Sequence, residues 1–247
     1  MHHFFVPPEC IVEDNVTLPV DVASQLSRVL RARLGDEIVV LDDSGTEYLV
    51  QLSAIDRNSA SGIVISKSKS QGEPSVFITL YQGILKADRF EYMLQKGSEL
   101  GITSFVPVNC HRTISQNKPS DSRYTRWRKI ITEAAEQSGR GRLPVLQEIV
   151  NFDSACEKAT GVSLMPWEGE KATSLKSSLT YVASGTDAHS SINIFIGPEG
   201  GFTTEEVEFA KKNRITLVTL GPRILRAETA GIVTAAAILY ELGELGG

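Results

Sequence analysis

The 247 residues contain no uninterrupted apolar run approaching the roughly 20 needed to span a bilayer, so no membrane crossing is expected. The amino terminus, MHHFFVPPE, has neither a basic leader nor a long apolar segment, so a signal peptide is not expected. Cysteine is scarce. Cys10, Cys110 and Cys156 lie far apart and are odd in number, which excludes a disulfide framework and zinc-ligand spacing. Cys110 and His111 are neighbours without a third ligand at metal spacing, so no metal is expected there. His189, in the polar GTDAHSS stretch, reads as solvated. A reducing cytoplasm fits this cysteine usage. There is no G-x-G-x-x-G and no Gly-Lys-Ser/Thr, so a nicotinamide reductase and a P-loop NTPase both lack their phosphate-binding signatures. No repeat of fixed period runs through the chain.

What is present is ordinary for a globular protein: 41% hydrophobic and 22% charged residues. The net charge of −5 argues against nucleic acid until its distribution is read. Residues 1–72 are acidic, with 6 basic and 10 acidic groups; residues 73–145 are basic, with 11 against 7. Within 112–142 stand Arg112, Lys118, Arg123, Arg126, Arg128, Lys129, Arg140 and Arg142, against three carboxylates. Such a stripe is either an electrostatic footprint for nucleic acid or a solvated helix face.

The most informative stretch runs from Ile192 to Ala230. An apolar strand, Ile192 to Ile196, stops at Gly197-Pro198; Glu199, Gly200, Gly201 and Phe202 follow. Thr203 and Glu206 then have capping-box spacing for a helix start. A second apolar run, Thr216 to Leu220, stops at Gly221-Pro222, followed by RILRAETA and a long apolar helix. The same layout therefore occurs twice, with each turn at the carboxyl end of its strand, where open α/β sheets place ligands. Either turn alone reads equally as an ordinary strand-to-helix connection. Together, the glycines permit close backbone approach to a ligand, and Arg226, Glu228 and Thr229 stand among apolar residues, where polar groups need partners.

GPEGGF followed by LGPRILRAETA closely resembles the signature loops of the ribosomal RNA small subunit methyltransferase E family, within the knotted SPOUT methyltransferases. LKADRFEYMLQKGSELGI from Leu85 and RWRKIITEAAEQSGR from Arg126 resemble the same family, and LMPWE from Leu164 does so more loosely. The resemblance runs over essentially the whole chain. It implies an α/β protein with a small amino-terminal PUA-like β-barrel for RNA (residues 1–72) and a SPOUT domain (residues 73–247). In that second domain a trefoil knot binds S-adenosyl-L-methionine and mediates homodimerisation. The implied reaction is methylation of N3 of a uridine in the decoding region, near the 3′ end of 16S rRNA in the small ribosomal subunit. Two alternatives stay open: a SPOUT enzyme acting on another RNA, and a non-catalytic RNA-binding assembly factor.

The remaining elements follow from pattern. Phe4 to Val6 is a short strand, and Asp21 is expected to cap a helix through Leu30. Glu37 to Leu41, Glu47 to Ile55 and Ala60 to Ser66 are strands. Arg28, Arg31 and Arg33 cluster after the short helix, where they either meet phosphate or face water. The polar SKSKSQGEP stretch ends the first domain near residue 73. Beyond it come a strand Val76 to Tyr81, a helix Ala87 to Leu100 closed by Gly101, and a strand Phe105 to Val108. A helix capped by Asp121 runs to Gln137, a strand spans Val162 to Trp167, and a last helix extends from about Thr229 to Leu242.

The resemblance assigns the donor pocket to Ile196, Gly197, Gly200, Leu220, Gly221, Ile224, Leu225, Thr229 and Ala230, with Met165 from the third strand end. The acceptor, N3 of uracil, is a poor nucleophile until its proton leaves. Arg226 is the candidate cation for the anion that develops. Glu199 or Glu228 is the candidate to take the proton or orient that arginine. Other readings are a structural ion pair for Arg226 and a helix-start charge for Glu228. The expected RNA contacts are Arg28, Arg31, Arg112, Arg123, Arg126 and Arg140.

Overall fold

A computed structural model describes residues 1–113, 119–185 and 191–246. Contacts divide the chain into two compact units, Met1–Glu73 with Thr132–Leu143, and Pro74–Ile131 with Pro144–Gly247. The first unit thus takes in a later segment that sequence reading assigns wholly to the second domain. None of its helices is long and apolar enough to cross a membrane, among the described residues.

The first unit contains β1 (His3–Phe5), β2 (Ile11–Val12), β3 (Asn15–Leu18), α1 (Val20–Ser24), β4 (Glu37–Leu41), β5 (Thr46–Ile55) and β6 (Ala60–Lys69). The sheet order is β1-β4-β5-β6-β3-β2, antiparallel except for the β1–β4 pair. Alternation selects its core: Val16, Leu18, Ile38, Val40, Tyr48, Val50 and Leu52 point inward, two residues apart along their strands. The cap of α1 is Pro19 rather than Asp21, which lies in the first turn. The helix then widens into a π turn, Gln25–Leu30, ended by Arg31 at φ +54°. Phe5 donates its N–H to Glu136 Oε1 at 2.9 Å, and burial pushes that carboxyl above its ordinary range.

The second unit begins with β7 (Phe77–Gly83), α2 (Ala87–Leu100), β8 (Ser104–Asn109) and α3 (Asp121–Ser138), whose last turns cluster with the first unit. Then come β9 (Val145–Leu146), β10 (Val150–Asn151), α4 (Phe152–Lys158), β11 (Val162–Pro166), α5 (Leu175–Gly185), β12 (Ser191–Ile196), α6 (Thr204–Lys212), β13 (Thr216–Val218) and α7 (Ala227–Glu241). Asp121 is the first residue of α3 and not its cap; Ser120 precedes it and its Oγ meets the N–H of Arg123 at 3.4 Å. The strands form a parallel sheet in the order β10-β8-β7-β12-β11-β13, with β9 on β8.

Period-two alternation sorts its side chains into two layers. Ile78, Leu80, Phe105, Leu164, Ile192, Ile194, Ile196 and Val218 join Phe90, Met93 and Leu94 of α2, Trp127 of α3 and Ile238 of α7. The intervening Val106, Val108, Met165, Phe195 and Leu217 join Phe152 of α4 and Val207 of α6 on the other face. Each fully buried aliphatic side chain contributes roughly 1.5–3 kcal/mol. The sheet, covered on both faces, therefore holds the carboxyl ends of β7, β12, β11 and β13 rigidly side by side.

Candidate active site

The described site is a cavity of about 890 Å³ in the second unit, at those carboxyl ends. Three loops line it: Pro166–Lys171 after β11, Gly197–Phe202 after β12, and Thr219–Arg226 after β13, with Arg89 of α2 beside them.

The loop after β12 is fixed on every side. Gln82, at the end of β7, donates its amide Nε2 to the carbonyls of Gly83 at 3.1 Å and Gly197 at 3.3 Å. Gly83 leaves no room for a side chain; a Cβ there would lie 2.5 Å from the Pro198 nitrogen. The Lys86 N–H donates to Glu199 Oε1 at 3.0 Å, and Arg112 Nη1 donates to the Gly200 carbonyl at 2.9 Å. Gly201 turns at φ +67°. The expected capping box follows: Thr203 Oγ1 accepts from Glu206 N–H at 3.2 Å and Glu206 Oε2 from Thr203 N–H at 2.8 Å. The other oxygen of Glu206 accepts from the His111 N–H at 2.8 Å. His111 therefore serves this contact through its backbone. Its neighbour Cys110 is buried, and burial pushes its thiol well up.

The loop after β13 is held mainly at its start. The Thr219 N–H donates to Thr173 at 2.8 Å, Leu175 N–H returns to Thr219 at 3.1 Å, and Gly221, at φ +99°, donates to Thr219 Oγ1 at 3.2 Å. Glu170 Oε1 accepts from the N–H groups of Thr173 and Ala172, which hold its carboxyl below its ordinary value. From Gly221 the chain runs out into solvent, and Ile224 is 86% exposed. Arg226 caps α7 without a side-chain hydrogen bond and is exposed.

The two candidate carboxylates pair with a residue that sequence reading did not single out. Arg89 lies 3.6 Å from Glu199 and 3.8 Å from Glu228. Neither carboxylate orients Arg226, which makes no ion pair among the described residues. Glu228 does sit in the first turn of α7, but it is 8% exposed and its Oε2 has no hydrogen-bond partner.

The cavity gathers Ile196, Gly197, Glu199, Gly200, Leu220, Gly221, Ile224, Leu225, Arg226 and Ala230. Three residues expected at the site lie outside this lining. Met165 is fully buried in the sheet core with Phe195 and Leu217, and the wall is made by the next residues, Pro166 and Trp167, where the strand ends. Glu228 and Thr229 are not in the lining, although Ala227 and Ala230 of the same helix are, and Glu228 stays tied to it through Arg89. Trp167, Gln82 and Arg89 were missed. Gln82 had a signal, a lone amide ending an apolar strand; Arg89 had none, since its partners lie more than a hundred residues away.

A family model described as an RNA methyltransferase domain matches residues 72–239, and one described as an RNA methyltransferase PUA domain matches residues 26–65. Ribosomal RNA small subunit methyltransferase E of Synechocystis sp. is 35% identical over 96% of this chain and 77% of its own. The protein of that name from Bacillus subtilis is 31% identical, covering 86% and 85%. The chain belongs to the ribosomal RNA small subunit methyltransferase E family. A crystal structure of the Neisseria gonorrhoeae member, bound to S-adenosyl methionine, superposes with a TM-score of 0.86 at 30% identity, covering 97% of both chains.

Within this family member, the arginines expected to meet RNA fall into distinct surroundings. Arg28 and Arg31 are exposed in the first unit. In the second, Arg112 holds the Gly200 carbonyl, Arg123 lies over the Trp127 ring at 5.1 Å, and exposed Arg126 pairs with Glu91 at 2.7 Å. Arg140 is a correction. It is 1% exposed and bound to Glu73, Nε to Oε1 at 3.1 Å and Nη2 to Oε2 at 2.9 Å, so its charge is spent inside the protein. Lys118 and His189 lie outside the described residues.

Proposed function

We propose that this chain is an S-adenosylmethionine-dependent methyltransferase of small-subunit ribosomal RNA, acting at N3 of a uridine in the decoding region. The observation that carries the reading is the cavity lined by two glycine-proline loops, in a chain that belongs to the ribosomal RNA small subunit methyltransferase E family. A volume of about 890 Å³ lies within the range of small-ligand sites. Its wall offers uncovered glycine backbone at Gly197, Gly200 and Gly221, apolar flanks at Ile196, Leu220 and Leu225, and carboxylate at Glu199. That set fits a nucleoside bearing an amino-acid tail: backbone for the adenine edge, carboxylate for hydroxyl or ammonium groups. When bound, the cofactor supplies an electrophilic methyl group on a sulfonium.

The chain's own residues have three tasks. The loops hold the donor, and such positioning contributes on the order of 7–11 kcal/mol when geometry is right. Arg226, exposed at the cavity wall, is the cation for the negative charge that develops on the uracil carbonyls. Glu199, which lines the cavity, or Glu228, tied to it through Arg89, accepts the N3 proton.

The same reading includes a PUA-like barrel within residues 1–72, a SPOUT domain from 73 with its final segment threaded as a trefoil knot, homodimerisation through that domain, and a cytoplasmic location. The matches over residues 26–65 and 72–239 support that division of labour.

The test is transfer of labelled methyl from S-adenosylmethionine to undermethylated small ribosomal subunits, followed by nucleoside mass analysis. N3-methyluridine at one position is the expected product. A different methylated nucleoside, or transfer only to another RNA, refutes the proposed acceptor. No transfer by a protein that still binds the donor favours the RNA-binding assembly factor.

A further inference from the structure

We propose that Arg89 is a positioning residue for methyl transfer, a single guanidinium that ties the two ligand-facing loops together through Glu199 and Glu228. Glu199 belongs to the loop after β12; Glu228 belongs to the first turn of α7, directly after the loop that follows β13. These segments come from different strands and have no common covalent anchor. Arg89 projects from the first turn of α2 and meets both, at 3.6 and 3.8 Å. Among the described residues no other cation pairs with either carboxylate.

The arrangement is more than a surface ion pair. The Glu228 side chain is 10% exposed and one of its oxygens has no hydrogen bond, so without Arg89 it becomes a buried charge with no counter-ion. Such a carboxylate would turn out to solvent and pull the start of α7 with it. Glu199, released on the same side, would keep only its bond to the Lys86 N–H. The Arg89 side chain is 37% exposed and lines the cavity, so its charge is partly screened and its loss need not unfold the protein. Arg89 thus couples the donor-holding loop to the helix start that follows Arg226. The consequence for catalysis rests on the methyltransferase reading; the tie itself does not.

Arg89→Met and Arg89→Lys test it with three readouts. Hydrogen exchange follows the Gly201 and Ala230 amides, which are bonded to Pro198 and Arg226 in the two segments. In Arg89→Met, exchange should accelerate severalfold in both segments together. Calorimetry with S-adenosylmethionine should give a Kd raised about tenfold, and kcat should fall about a hundredfold, the cost of displacing reacting groups by an ångström. Arg89→Lys should recover only part of each, because a point charge cannot span two carboxylates as a guanidinium does. Unchanged exchange, or acceleration in one segment alone, overturns the proposal. So does a fall in melting temperature with donor affinity and kcat intact in the folded protein. If Arg89→Met does not fold, Arg89→Lys decides by the same criterion of paired acceleration. A wild type that binds no S-adenosylmethionine refutes the methyltransferase reading and leaves the tie to be judged by exchange alone.

Discussion

The two glycine-proline loops read alike in sequence and differ in the fold. The loop after β12 is buried at Gly197 and Pro198, bonded by Gln82, Lys86 and Arg112, and closed by a full capping box. The loop after β13 is exposed from Gly221 to Ile224 and enters α7 with no side-chain cap. Packing explains the contrast. β12 is a central strand with β7 and β11 on either side, so its end meets neighbours; β13 is the edge strand and its loop leaves the sheet. One loop is therefore a fixed wall. The other presents side chains, Arg226 among them, to whatever occupies the cavity.

Substitutions can break this contrast. The largest effect is expected in the exposed loop: Arg226→Ala should lower kcat by about two to three orders of magnitude, ~2.7–4 kcal/mol, with donor affinity little changed. Near-normal turnover would return the catalytic role to the wall. In the fixed loop the dominant effect should be on stability. Gly83→Ala drives a Cβ into Pro198 and should cost about 2–3 kcal/mol in urea unfolding, with weakened donor binding. A neutral result would mean the wall gives way. Gly221→Ala, with nothing within 4 Å of the new Cβ, meets only the strain of its positive φ, about 1–2 kcal/mol. A cost above that of Gly83→Ala would invert the comparison. Thr203→Ala, losing the cap, should cost about 1 kcal/mol and leave kcat unchanged.

Arginines sharpen the same lesson at longer range. Arg126 and Arg140 belong to one basic stripe in the sequence, yet one is exposed beside Glu91 and the other is buried against Glu73. No local pattern separates them, because burial of a charge depends on a distant partner. Arg89 is the same case. The helix that carries it is plain from Phe90, Met93, Leu94 and Gly97, but its position between Glu199 and Glu228 follows only once α2, β12 and α7 are packed. Short elements were also hidden: α4, β9 and β10 span too few residues to show a periodicity.

The sequence alone determined the helix Ala87–Leu100, the strands β7, β8, β11, β12 and β13 of the parallel sheet within a few residues, the capping box at Thr203, and the pair of loops that carries the family resemblance. These rest on local rules: alternation, helical period, glycine turns and caps act over a few residues. The tertiary structure decided which polar groups meet. It set Glu199 and Glu228 on Arg89 instead of Arg226, withdrew Arg140 from the surface, kept Met165 within the sheet core and put Trp167 in the cavity wall. Those outcomes depend on sheet order, because it is the packing of parallel strands from distant parts of the chain that brings their loop residues within reach of one another.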